Sequence, residues 1–253
     1  MTCEEFSNTF DVLLNSYNIQ AGFGEGSNKQ GAIALDEYEK SMFLTKAQEE
    51  IVVALYNGRN SSGESFESTE ELRRYLANLV KEATEEPITN TLGIQLGINS
   101  QSKFFTLPED LWFITYESLK LPEEKCDAFK EIDIYPVTQD DYNKTRRNPF
   151  RGPNDRRALR LDLADGVVEI ISKYNTYSLH ADYYIRYLRK PKPIVLAPLP
   201  DGLKIEGISE PTDYGNHQAC ELHEALHQKI VDRAVLEALY SKGLSLNDNN
   251  NKQ

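Results

Sequence analysis

The apolar residues change period at Pro87, and that change restricts the chain to folds combining helices with β-strands. Before it, Phe6, Phe10, Leu13, Leu14 and Tyr17 recur at helical spacing until Gly22, Gly24 and Gly26, where a flexible loop is expected. A second helix starts at Asp36 or, more strongly, at the capping-box arrangement Thr45-Lys-Ala-Gln48. It carries Leu44, Ala47, Ile51 and Leu55 and stops at Asn57-Gly58. Ser68-Thr-Glu-Glu71 repeats the device ahead of Leu72, Leu76, Leu79, Val80 and Ala83. Helices over 45–57 and 68–84, joined by a polar loop, predict an antiparallel helical hairpin.

After Pro87 the stretches 111–119, 129–137, 159–163, 167–172 and 177–188 are rich in Ile, Val, Tyr, Phe and Thr and are bounded by Pro, Gly, Asn and Asp, which predicts strands. Asp165-Gly166 is the best hairpin signal, since both residues tolerate the positive φ of a two-residue turn. Thr138-Gln-Asp-Asp-Tyr142 reads as a short helix between strands. No helix of crossover length separates the strands, so antiparallel pairing is expected. A last helix spans roughly 219–242 and ends at Gly243. Its apolar arc of Leu222, Leu226, Ile230, Ala234 and Ala238 should pack on the N-terminal hairpin. The expected fold is α+β: an N-terminal helical hairpin and a C-terminal helix form a helical domain, 1–86 with 217–243. An antiparallel β region, 87–216, is inserted with its short helix and Arg-rich loop, and 244–253 is a disordered tail.

Charge excludes some functions. With 28 Lys+Arg against 40 Asp+Glu, the net charge of −12 argues against broad nucleic-acid binding and against anchoring on anionic lipid. Residues 1–100 hold 7 basic groups against 16 acidic ones, whereas Lys144, Arg146, Arg147, Arg151, Arg156, Arg157 and Arg160 stand against Asp155 alone. Such a run can face phosphate, or it can form ion pairs with acidic helices of this or a neighbouring subunit. The protein contact is favoured because Arg is enriched at interfaces. Asn148-Pro-Phe150 and Gly152-Pro153 inside the run imply a pinned loop that presents Phe150. The candidate interface is therefore Arg146, Arg147, Phe150, Arg151, Arg156 and Arg157. Cys3, Cys126 and Cys220 fit neither a disulfide framework nor a four-cysteine zinc site, so reduced thiols are expected. An acidic N-terminus and the lack of any apolar run near 18 residues predict neither secretion nor a membrane span.

His223-Glu-Ala-Leu-His227 matches the zinc-peptidase pattern HExxH, in which two imidazoles one turn apart hold the metal and the Glu acts as general base. The extended form of the motif finds Ile230 and Arg233 where Gly and the third His belong, and only 26 residues follow His227. Both histidines also fall inside the apolar arc, so the alternative is a pair packed at the edge of a core or of a subunit interface. No Gly-x-Ser-x-Gly elbow occurs, and Gly22-Phe-Gly24-Glu-Gly26 lacks the strand and the Gly-Lys of a phosphate loop. Neither catalytic residues, metal ligands nor a cofactor site are assigned. A zinc peptidase and a cytosolic protein-binding module remain the competing classes.

The stretch 35–51 resembles virion ring proteins of crAss-like phages. So do Leu107-Pro-Glu-Asp-Leu-Trp112, Asn148-Pro-Phe-Arg-Gly-Pro153, Tyr183-Tyr-Ile-Arg-Tyr-Leu-Arg-Lys-Pro-Lys-Pro193 and the stretch 220–234. In layout the chain is also loosely similar to tail tubular and adaptor proteins of other short-tailed phages. The resemblance covers roughly 33–243. In such proteins a proline stands where His223 stands here, which makes the HExxH accidental. The resemblance implies a structural head–tail connector protein of the virion, assembled in the host bacterial cytoplasm. It would be a cyclic, dodecameric ring beneath the portal protein, touching further connector or tail proteins, with packaged DNA passing its acidic lumen unbound and no membrane involved. An acidic half and a basic loop supply complementary faces for such a head-to-tail contact.

Overall fold

The computed structural model describes residues 1–20, 34–59, 63, 65–88, 102–122, 129–173, 181–197 and 217–241. Two compact units emerge, Met1–Leu79 with Pro191–Gln253, and Val80–Lys190. The expected glycine loop at 22–26 and the tail at 247–253 lie outside the described residues.

The first unit holds α1 (Cys3–Gln20), α2 (Glu37–Tyr56), α3 (Glu70–Leu76) and α5 (His227–Ser241), with α4 reserved for a short helix of the second unit. Helix α2 begins at Asp36, whose carboxylate accepts from the Glu39 amide at 2.7 Å while the Glu39 carboxylate accepts from the Asp36 amide at 3.3 Å. Thr45 and Gln48 are thus interior helical residues. Both are buried and bind a passing segment: Gln48 Nε2 donates to the Lys192 carbonyl at 2.8 Å, and Thr45 Oγ1 accepts from the Ile194 amide at 3.1 Å. Helix α5 packs chiefly on α2 and then on α1. Leu226, Ile230, Ala234 and Ala238 are fully buried in this unit, as are Phe6, Phe10, Leu44 and Val52.

Among the described residues the second unit is one seven-stranded sheet. Its strands are β1 (Val80–Glu85), β2 (Ser102–Thr106), β3 (Leu111–Pro122), β4 (Phe129–Pro136), β5 (Arg157–Asp162), β6 (Val167–Ile171) and β7 (Asp182–Arg189), in the order β1-β7-β3-β4-β5-β6-β2. Asp165 and Gly166 have φ of 58° and 68°, so the β5–β6 hairpin turns where Asp-Gly predicts. The sheet curls. Inward residues of β2 to β7, from Phe105 through Leu119, Ile132, Ala158 and Val168 to Ile185, form one core, and Ala83 of β1 packs against it. Just past β1, the Ile88 amide donates to the Phe104 carbonyl of β2 at 2.8 Å, bringing the two ends of the sheet together. Outside β5 and β6, Leu159, Leu161 and Ile171 are covered by Tyr142 of α4 (Tyr142–Arg146).

This architecture overturns the expected helical domain with an inserted antiparallel β region. The main element is a mixed sheet. β4 and β5 run parallel, because the connection 137–156, with α4 inside it, is long enough to return the chain to the same end. Nor does the expected helical hairpin form. Helix α3, capped by Thr69, stops at Leu76; after one tight turn the residues that read as helix become β1, paired with β7 from Val80↔Leu188 to Glu85↔Tyr183. A full ladder with cross-strand packing outweighs a local helical stripe.

Candidate functional site

The basic run divides into two chemical settings. Tyr142 anchors α4 in the core, and the chain then leaves the sheet and returns as β5. The intervening loop is stiff. Asn148 Oδ1 accepts from the Phe150 amide at 2.9 Å, and the Asn148 carbonyl accepts from the Gly152 amide at 2.8 Å. A Cβ at Gly152 would stand 2.8 Å from the Arg146 carbonyl oxygen and 2.9 Å from that of Asn148, so no other residue fits without moving backbone. Arg157 Nη1 donates to the Phe150 carbonyl at 2.7 Å, and the Arg157 guanidinium lies 4.3 Å from the centre of the Tyr135 ring. Phe150 is thereby held out at 84% exposure. The guanidiniums of Arg146, Arg147, Arg151 and Arg156 are exposed and meet no carboxylate among the described residues.

Arg160 differs. It is 9% exposed and points into the curled sheet, where Nη1 donates to Glu117 Oε2 at 2.7 Å, and Tyr183 Oη donates to the same oxygen at 2.8 Å. Arg160 Nε also lies 2.9 Å from Asp162 Oδ1, an ion pair lacking hydrogen-bond alignment. Burial pushes the Glu117 carboxyl above its usual range, with Arg160 and Tyr183 opposing that shift. Burial and the Glu117 charge together push the Tyr183 phenol up. Arg160 therefore leaves the exposed patch and belongs to a paired interior network.

Above that network lies a cleft of about 470 Å³, lined by Ile114 to Glu117 of β3, Asp133 to Pro136 of β4, and Arg160. It exists because β3 and β4 pair only from Ser118↔Asp133 to Pro122↔Phe129 and separate beyond Ser118. Irregular pairing of β3 with β7 between Ile114 and Tyr116 accompanies the separation. Tyr116 and Tyr135 stand at its rim, 41% and 43% exposed. Sequence reasoning missed the cleft, since strand separation leaves no compositional mark.

The HExxH residues do not form a metal face. His223 precedes the helix as a cap, and its Nδ1 accepts from the Ala225 amide at 3.2 Å; Glu224–Leu226 is a tight turn, and α5 begins only at His227. His227 is buried, with Nε2 3.0 Å from the Leu222 carbonyl and Nδ1 2.7 Å from the Met1 amine, so both ring nitrogens are engaged. In place of two zinc ligands, or of two histidines packed alike, the chain holds one exposed cap and one buried side chain. Among the described residues no group of His, Cys, Asp and Glu is placed to hold a metal ion, and no helix is long and apolar enough to cross a membrane.

A family model described as phage tail ring protein 3/4 matches residues 1–250. Ring protein 3 of Bacteroides phage crAss001 is 44% identical over 245 residues, covering 96% of this chain and 96% of that protein. Ring protein 4/5 of the same phage is 31% identical over 242 residues, covering 93% and 91%.

Proposed function

This chain belongs to the phage tail ring protein 3/4 family, and from that premise we propose that it is a structural virion protein closing into a ring at the head–tail connector. The observation that carries the reading is the match along nearly the whole chain to a protein named for its ring. In this reading twelve copies form the ring, adjoin the portal protein and further connector or tail proteins, and let packaged DNA pass without gripping it. The role is structural and not enzymatic, in keeping with histidines engaged in capping and packing. Arg146, Arg147, Phe150, Arg151, Arg156 and Arg157 form the contact surface. A pinned, exposed aromatic flanked by guanidiniums that meet no carboxylate among the described residues supports that assignment, because such groups can gain partners on docking. Electron microscopy of the purified chain, alone and with portal protein, should give closed rings of uniform symmetry. A monodisperse monomer under both conditions would reject the reading.

A further inference from the structure

We propose that the cleft between β3 and β4, with the basic loop tied to its rim, receives residues 198–216 of a second copy of this chain. The inference rests on the ring reading above and adds the identity of one contact.

The receptor is a continuous surface. The Arg157 side chain holds the Phe150 carbonyl and covers the Tyr135 ring, so loop and cleft rim are linked through one residue. The cleft sets Ile114, Tyr116, Ile134 and Tyr135 beside the polar groups of Thr115, Asp133 and the paired Glu117 and Arg160, between two strands that have stopped pairing with each other, the setting in which an extended segment adds to a sheet. Beside it stand guanidiniums without carboxylate partners among the described residues. The occupant this chemistry asks for is an extended segment with apolar side chains for the cleft and carboxylates for the loop guanidiniums beside it.

Residues 198–216 meet that description in sequence. Asp201, Glu206, Glu210 and Asp213 stand against Lys204 alone, and Leu203 and Ile205 alternate with Lys204 and Glu206. The described residues on either side of the stretch are joined, since Val195 and Gln218 exchange two backbone hydrogen bonds of 2.9 Å. Out and back, a chain of that length could reach roughly 30 Å at full extension. Charge agrees: the unit carrying this stretch holds 12 basic residues against 22 acidic ones, whereas the unit carrying the receptor holds 16 against 18. A receptor and an arm that are different parts of one chain make a head-to-tail contact, the kind that closes a ring.

Paired charge reversals test this in the full chain. One variant carries Arg147→Glu with Arg151→Glu, the other Glu206→Lys with Glu210→Lys, and melting temperatures confirm that both fold. Alone, each should associate at least about tenfold more weakly than the unaltered chain by analytical ultracentrifugation, since like charges then meet. Mixed in equal amounts they should form rings again, each reversed receptor taking a reversed arm. Rescue on mixing also excludes an arm folding back on its own receptor. The proposal is overturned if the arm variant assembles normally while the receptor variant does not, or if mixing restores nothing. It is likewise overturned if the receptor variant assembles normally but loses binding to duplex DNA, which would assign the guanidiniums to phosphate. If the unaltered chain forms no rings, the function proposed above falls first; rings without the charge pairing leave that function standing.

Discussion

Arg151 and Arg160 belong to one basic run, yet the loop around the first and the sheet interior around the second use the same side chain for opposite ends. In the interior, Arg160 is enclosed with Glu117 and Tyr183, with the exposed Asp162 carboxylate beside its Nε, and its charge is satisfied within the fold. In the loop, backbone and Asn148 bonds hold the chain, and among the described residues the guanidiniums of Arg146, Arg147, Arg151 and Arg156 make no bond to it. Residue type and local density were equal. What separates the two is whether the chain has entered β5, where alternation turns Arg160 inward beside Ala158.

The largest expected effect breaks the interior network. Arg160→Met should cost about 3–5 kcal/mol in chemical denaturation, because it leaves the buried Glu117 carboxylate without its cation. Adding Glu117→Leu should recover most of that loss; failure to recover would mean that the ion pair positions the strands and does not merely neutralise itself. The next effect is in the loop. Gly152→Ala should cost about 1–3 kcal/mol, the range for forcing extra atoms into a packed site, and it should disorder Phe150, as proteolysis at the loop would report.

A pH series extends the contrast to a buried group in the other unit. Burial pulls the His227 imidazole below its ordinary value; the Met1 amine and His223 act in the same direction, and the Leu222 carbonyl and Glu224 oppose them. With the folded value below the unfolded one, the stability it contributes is full above about 6.5 and is lost as pH falls through the folded value. Melting temperature should therefore decline between about pH 7 and 5, and less steeply in His227→Gln. Equal slopes would show that other groups govern that window. The smallest expected effect completes the comparison: Arg147→Ala with Arg151→Ala should change stability by no more than about 0.5 kcal/mol while weakening self-association measured by light scattering.

The sequence carried the family resemblance, which the comparisons bear out. It also carried local features such as the Asp165-Gly166 turn and the buried stripe of α5, because each depends on neighbours in the chain. What it did not carry depends on distant partners. Thr45-Lys-Ala-Gln48 has the pattern of a capping box, but its polar groups serve residues 192–194 instead. Val80 and Ala83 continue a helical stripe, and only the presence of β7 makes them a strand. The parallel β4–β5 pairing was missed because the crossover is mostly loop, with α4 only five residues long. Of the candidate interface, the pinned turn at Asn148 was readable from Asn-Pro and Gly-Pro, whereas the cleft beside it was not.

The position of β7 bears on synthesis. Of the described strands it is the last to be made, yet it lies between β1 and β3, so the sheet order cannot be completed until residue 189 has left the ribosome. The helical packing of the other unit waits longer still, because α5 supplies the buried face for α1 and α2. Pairings that span so much chain form slowly. A nascent chain interrupted before its end would lack the elements that complete each unit, so unfinished copies would be poorly equipped to enter an assembly of finished ones.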